Sequence, residues 1–119
     1  MNYMELLQKI RDNAQQAAKA KRRLMAASHS SAEIDEWKRQ YMRCQSEFER
    51  DRETVREMIR SAEDPEAMRL LYQRKVEGTP WSEAYRGLCS ARSEIDVWLA
   101  VSRYLRENYR NWTAYSDCL

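Results

Sequence analysis

Glycine and proline are scarce in this sequence of 119 residues, which contains only two of each. Folds rich in β-strands need more turn residues than this, whereas long helices need almost none. No apolar run approaches the roughly 20 residues that a membrane-spanning helix requires. The first residues also lack the basic start and apolar stretch of a secretory signal. We therefore expect a helical, cytoplasmic protein without a membrane partner.

Cysteine and histidine are also few, with three cysteines and one histidine, His29. Cys44, Cys89 and Cys118 are widely spaced and odd in number, which fits neither a disulfide framework nor a zinc site. We expect reduced thiols, with Cys118 the most exposed because it lies beside the carboxyl terminus. The sequence shows no pairing of a nucleophile with a base and no glycine-rich phosphate loop. It therefore predicts no enzyme activity, no catalytic residues, no cofactor and no metal site.

The net charge of +2, from 21 basic and 19 acidic residues, predicts no strong general attraction to nucleic acid. The charges are unevenly distributed along the chain. Residues 1–27 carry six basic and two acidic side chains, whereas residues 32–64 carry seven basic and ten acidic ones. The first two helical segments thus have opposite bias, which favours their pairing.

Two long segments have the three- and four-residue spacing of helices that pack along a seam. The first seam is Tyr3, Leu7, Ile10, Ala14, Ala17, Lys21 and Leu24, and the second is Ile34, Trp37, Tyr41, Cys44, Phe48, Asp51, Val55, Met58 and Ala62. Ala14 and Ala17 permit the close approach of larger side chains. After a break at residues 28–31, Ser30 and Glu33 form a capping-box pattern, so the second helix should begin near Ala32. We predict an antiparallel helical hairpin over residues 1–62.

Shorter helices follow this hairpin. Asp64 and Pro65 predict a helix start, Gly78 predicts an end near Val76, and Pro80 predicts the next start. A break at Cys89, Ser90 and Ala91 precedes a fifth helix, from about Arg92 to Tyr109. Its predicted inner face is Ile95, Trp98, Leu99, Ser102 and Leu105. The predicted fold is all-α, with the hairpin followed by a three-helix, helix-turn-helix-like bundle over residues 63–110 and a C-terminal tail over residues 111–119. The tail is expected to be frayed, and the alternative is that Trp112 and Tyr115 fold back onto the hairpin.

The stretch from Glu63 to Glu83, EDPEAMRLLYQRKVEGTPWSE, resembles region four of bacterial sigma factors. It is more similar still to the sigma-like proteins of phages that infect Gram-positive bacteria, which include RinA/ArpU-type late-gene regulators. The resemblance implies a helix-turn-helix, DNA binding, regulation of transcription and the cytoplasm of a bacterial host cell. The chain departs from the family at the helix-turn-helix itself, where Ala84 and Tyr85 replace Ile-Ala and Cys89 replaces the glycine of the turn.

Two functional hypotheses follow. The first is a phage-type transcriptional regulator whose candidate DNA-binding residues are Thr79, Ser82, Arg86, Arg92, Ser93, Asp96, Val97 and Arg103. Glu94 and Asp96 would face the DNA polyanion near the start of the recognition helix. The alternative is an interaction module of a phage or mobile element that binds and inhibits or redirects a host protein complex of defence or transcription. Its candidate surface comprises Lys19, Lys21, Arg22, Arg23, Ala100, Val101 and Tyr104. DNA, a host protein such as RNA polymerase, and a second copy of the chain all remain open as partners.

Overall fold

The computed structural model describes residues 1–26, 30–88 and 91–119. The described residues are 82% helical and contain no β-strand, which confirms the predicted all-α class. The elements are α1 (Tyr3–Met25), α2 (Ser31–Arg60), α3 (Pro65–Tyr72), a π-helical turn (Gln73–Glu77), α4 (Trp81–Arg86), α5 (Glu94–Asn108) and a C-terminal 3-10 helix (Trp112–Cys118). A long helix pair is thus followed by shorter helices. The predicted break residues Ser28, His29, Cys89 and Ser90 lie outside the described residues.

The chain divides into two compact units, Met1–Arg56 and Glu57–Leu119. The first unit contains α1 and most of α2. The second contains the last turn of α2 and all later elements. The domain boundary that the sequence placed after residue 62 stays a prediction.

Both long helices begin at capping boxes, in which a cap side chain and the third helical residue bond each other's backbone. The predicted box at Ser30 is confirmed, because the Glu33 amide donates to Ser30 Oγ (3.3 Å) and the Ser30 amide donates to Glu33 Oε2 (3.4 Å). The box at Asn2 was missed by the sequence analysis. There the Glu5 amide donates to Asn2 Oδ1 at 2.9 Å, so α1 begins at Tyr3.

Polar contacts between α1 and α2 fix an antiparallel register. The contacting pairs are Lys9 with Asp51 (3.2 Å), Asn13 with Glu47 (3.2 Å), Gln16 with Cys44 (3.8 Å) and Arg23 over the ring of Trp37 (5.8 Å). From one pair to the next, the residue number rises along α1 by the same amount as it falls along α2. The buried side chains of this unit include Leu7, Ile10, Ala17, Cys44 and Val55. The predicted antiparallel hairpin is therefore confirmed.

Part of the predicted hairpin seam is not buried. Tyr41 and Phe48 on α2 and Ala14 on α1 are only half-buried, and Lys21 is exposed. Two helices can enclose only the side chains that lie directly between them, so a wide apolar stripe leaves its margin uncovered. The consequence is an open apolar surface on the hairpin.

In the second unit, α3 packs against α5. The core is formed by Ala67, Met68, Leu70 and Leu71 from α3 with Val97, Val101 and Leu105 from α5. The predicted start of α3 is confirmed, because the Ala67 amide donates to the carboxylate of the cap residue Asp64 at 3.2 Å. The predicted end is also confirmed: the π-helical turn closes at Gly78, whose φ of 68° is the left-handed conformation that glycine adopts without steric cost.

The carboxyl-terminal segment is ordered, so the predicted fraying is wrong. Trp112–Cys118 forms two short 3-10 turns that meet at a kink at Tyr115 and pack on α5. Arg74 donates to the carbonyl groups of Thr79 (3.0 Å) and Asp117, which ties this segment to the region around the π-helical turn. Cys118 is 1% exposed, so the expectation of an exposed thiol beside the carboxyl terminus is wrong. Its burial and the charge of Asp117 raise the pKa of the thiol to about 11.

Candidate functional site

The start of α5, which the sequence identified as the recognition helix, is set by Ser93. The Ser93 hydroxyl accepts a hydrogen bond from the Asp96 amide at 3.2 Å, so the helix begins at Glu94 rather than at Arg92. This cap contact gives Ser93 a structural role at the position that the sequence assigned to DNA binding. It also fixes the rotation of the first turn of α5.

The predicted inner face of α5 was wrong over its first two turns. Val97 and Val101 are 0% exposed, whereas Ile95, Trp98 and Leu99, which the sequence placed inside, are 70%, 39% and 45% exposed. Both sets have helical spacing, so periodicity could not choose between them. The smaller valines lie in the interface with α3, and the bulkier set faces outward. Val97 therefore cannot reach DNA from this fold, and Val101 cannot belong to an interaction surface.

Ile95, Trp98 and Leu99, referred to below as the α5 cluster, form one apolar patch. They are spaced at i, i+3 and i+4, so their side chains are neighbours on one helix face. Glu94 and Asp96 lie beside them in the first turn and are exposed. The surface at the start of α5 is thus apolar with an acidic border, whereas DNA readers present cations and amides there.

Arg92, one of the three arginines that the sequence assigned to DNA binding, is engaged inside the second unit. Its guanidinium donates to both carboxylate oxygens of Asp64 (3.0 Å each) and to Glu66 (3.3 Å). Partial burial lowers the pKa of Arg92, but its hydrogen bonds and the negative charges of Asp64 and Glu66 raise it above the ordinary value. Tyr85 donates to the Arg92 carbonyl at 2.6 Å and fixes the same segment. Arg92 thus joins the segment before α5 to the start of α3.

The remaining candidate DNA-binding residues provide little positive charge. Thr79 is half-buried and its carbonyl accepts from Arg74. Ser82 is exposed and its carbonyl accepts from Arg86 Nε at 3.3 Å. Arg86 and Arg103 are exposed and form no ion pair in the described part of the chain. Asp96 is exposed but anionic. Whether these residues bind DNA stays a prediction.

The residues of the second hypothesis are divided between the two units. Lys19, Lys21, Arg22 and Arg23 are exposed on α1, and the Arg23 guanidinium lies over the Trp37 ring. Ala100 and Tyr104 on α5 are half-buried and line a groove of about 660 Å³. Burial, together with the hydrogen bond that its hydroxyl makes with Tyr109 and the charge of Tyr109, raises the pKa of the Tyr104 phenol far above its usual range. This groove, which Met58 and Met68 also line, was not predicted.

A second surface that the sequence analysis missed lies on the hairpin. It is an apolar groove of about 260 Å³ between α1 and α2, referred to below as the hairpin groove. Ala14, Ala17 and Ala18 line its α1 side, and Tyr41 and Phe48 line its α2 side. The sequence signal for this groove was the presence of small residues in the seam of α1 opposite aromatic residues in the seam of α2.

Among residues 1–26, 30–88 and 91–119, no three His, Cys, Asp or Glu side chains are grouped so as to hold a metal ion. Within the same ranges, every helix is too short or too polar to cross a membrane. The described surfaces that remain as candidate sites are therefore the α5 cluster and the two grooves. The chain matches no protein-family model, no curated protein and no solved structure.

Proposed function

We propose that this protein is an interaction module that binds a partner protein through the α5 cluster. The observation that carries the proposal is the exposure of Ile95, Trp98 and Leu99 together on one face of α5. A contiguous exposed apolar patch that contains tryptophan is typical of a protein-binding site. Tryptophan is enriched among the residues that contribute most to such interfaces.

The patch is large enough to matter energetically. The exposed parts of the three side chains amount to on the order of 300 Å², and covering them would contribute roughly 7 kcal/mol before the costs of association. Association itself costs about 4–15 kcal/mol, so additional contacts around the cluster are needed. Glu94 and Asp96 border the cluster, which makes an apolar pocket edged with Lys or Arg the complementary partner surface.

The same observations argue against DNA as the main ligand of α5. An apolar and acidic face gains little from the phosphate backbone, whose neutralisation by cations supplies most non-specific affinity. Arg92 is already occupied by Asp64 and Glu66. The resemblance to sigma region four makes the host transcription machinery, with RNA polymerase first, the partner class to test, ahead of defence complexes.

The test compares two substitutions at equally exposed apolar positions. Ile95→Glu places a charge in the α5 cluster, and Met42→Glu places the same charge on α2, where Met42 is 68% exposed. Tagged wild type and both variants are used to capture purified host RNA polymerase and proteins from host lysate, with quantitative mass spectrometry. We expect at least one partner to be retained by wild type and Met42→Glu and reduced more than tenfold by Ile95→Glu.

A mobility shift on duplex DNA at low salt provides the opposing outcome. We expect no shift at micromolar protein. The proposal is overturned if DNA is bound and the binding depends on Arg86 and Arg103 but not on Ile95. It is equally overturned if no captured protein distinguishes Ile95→Glu from Met42→Glu.

A further inference from the structure

The hairpin groove continues a stripe that is buried in the first half of α1. Leu7 and Ile10 are 0% exposed. Ala14, one turn after Ile10, is half-buried, and Ala18, two turns after Ile10, is exposed. Tyr41 and Phe48 face the same groove and are half-buried. The open half of the stripe therefore presents apolar surface that the hairpin itself does not cover.

The two sides of the groove differ in size in a complementary way. The α1 side carries three alanines between Asn13 and Lys21, and the α2 side carries two aromatic rings together with Cys44 and Gln45. In a pairing with two-fold symmetry the same surface is used by both copies, so each feature must fit its counterpart. Large side chains that enter the space left by small ones on the facing helix satisfy this condition.

We propose that a second copy of this chain covers the hairpin groove, in a two-fold dimer whose axis runs parallel to the helices. In this arrangement α1 of each copy lies against α2 of the other. Tyr41 and Phe48 of one copy then occupy the space above Ala14 and Ala18 of the other. The product is an antiparallel four-helix bundle, a packing that short hairpins commonly form.

The charges of the two helices support this pairing. Rotation about an axis parallel to the helices does not shift the second copy along the bundle, so each residue and its symmetry mate lie at the same height. The register of the hairpin, with Lys9 beside Asp51 and Asn13 beside Glu47, places Arg11 level with Glu49. Arg11 shares a helix face with Ala14 and Ala18, and Glu49 shares one with the groove residue Gln45. The dimer thus brings Arg11 of each copy opposite Glu49 of the other.

Neither of these side chains has an ion-pair partner within the described part of its own chain. The wider charge distribution agrees, since residues 1–27 are net basic and residues 32–64 are net acidic. A second copy of α2 is accordingly an electrostatically matched neighbour for α1.

The open area predicts a weak dimer. The part of the hairpin that carries the groove and its flanking residues, from Arg11 to Met25, is about 22 Å long at 1.5 Å per residue. With two helices of about 10 Å diameter each, the two copies together would bury roughly 900 Å². Stable complexes bury about 1,200–2,000 Å², so dimerisation should require tens to hundreds of micromolar protein.

The test is sedimentation equilibrium of the full chain between about 10 and 500 µM. We expect wild type to shift from monomer to dimer over this range. Arg11→Glu and Glu49→Arg should each weaken association at least tenfold, and the double variant Arg11→Glu/Glu49→Arg should restore it. The control is Lys19→Glu, which makes the same charge change as Arg11→Glu at an exposed position outside the groove.

Three results would overturn the dimer. The first is a monomer at every concentration, which would leave the groove to another partner. The second is equal weakening by Arg11→Glu and Lys19→Glu, which would indicate general charge effects. The third is loss of association in Ile95→Glu, which would place the contact at the α5 cluster. Circular dichroism of each variant separates lost association from lost folding.

Discussion

At the scale of single residues, Arg92 links two parts of the second unit and should affect stability more than binding. Replacing it with alanine removes its bonds to Asp64 and Glu66 and leaves two carboxylates close together. Since these side chains are 23% to 34% exposed, solvent screens the interaction, and we expect Arg92→Ala to lower the free energy of unfolding by roughly 1–2 kcal/mol. Urea denaturation followed by circular dichroism measures this. Arg103→Ala, at an exposed position with no ion pair to any described residue, should change stability by less than about 0.5 kcal/mol. Equal effects of both variants would contradict the assignment.

The buried thiol of Cys118 predicts a loss of stability at alkaline pH. Its pKa is raised from 9.0 to about 11 in the folded chain, mainly by burial, so folding favours the protonated form. The stabilisation is complete below pH 9 and is lost as the pH rises through 11. Relative to Cys118→Ala, wild type should lose on the order of 2 kcal/mol between pH 8 and pH 11. Urea midpoints of both proteins at these pH values test this, and parallel pH curves would contradict it.

At the scale of elements, the end of the π-helical turn depends on one backbone conformation. Gly78 has a φ of 68°, and a Cβ at this position would meet nothing within 4 Å, so the cost of Gly78→Ala is purely conformational. We expect a loss of about 1 kcal/mol. Gly87, with a φ of −75°, provides the control, because a Cβ there makes only ordinary contacts with the Ala84 carbonyl at 3.5 Å. Equal urea midpoints for Gly78→Ala and Gly87→Ala would show that the left-handed cap is unimportant.

The sequence predicted the ends of the helices better than it predicted which face of a helix is buried. Caps and turns depend on a few adjacent residues, so the starts of α2 and α3 and the end at Gly78 were predicted correctly. The buried face of α5 depends on the shape of α3. Because α5 carries two apolar strips, only packing could decide that Val97 lies inside and Trp98 outside. Asp64 and Glu66, the ion-pair partners of Arg92, precede it by 28 and 26 residues, so no local sequence pattern indicates these contacts.

At the scale of the whole molecule, composition and periodicity were sufficient for the all-α class and the helix pair. The candidate binding surfaces were harder, since a surface is defined by what the remaining chain fails to cover. Phe48 and Ile95 both belong to apolar stripes of the sequence, yet they remain partly or largely exposed. The sequence shows that such stripes exist, and the fold determines which part of each is left for a partner.

The matched register of α1 and α2 has a consequence for how this chain can change in evolution. Every contact from Lys9–Asp51 to Arg23–Trp37 depends on equal numbers of residues in both helices. A single inserted residue rotates everything beyond it by about 100° and would separate the later pairs. Length changes should therefore occur in both helices at the same level, in multiples of about seven residues. Substitutions can accumulate singly in this hairpin, but insertions and deletions must come as coordinated pairs.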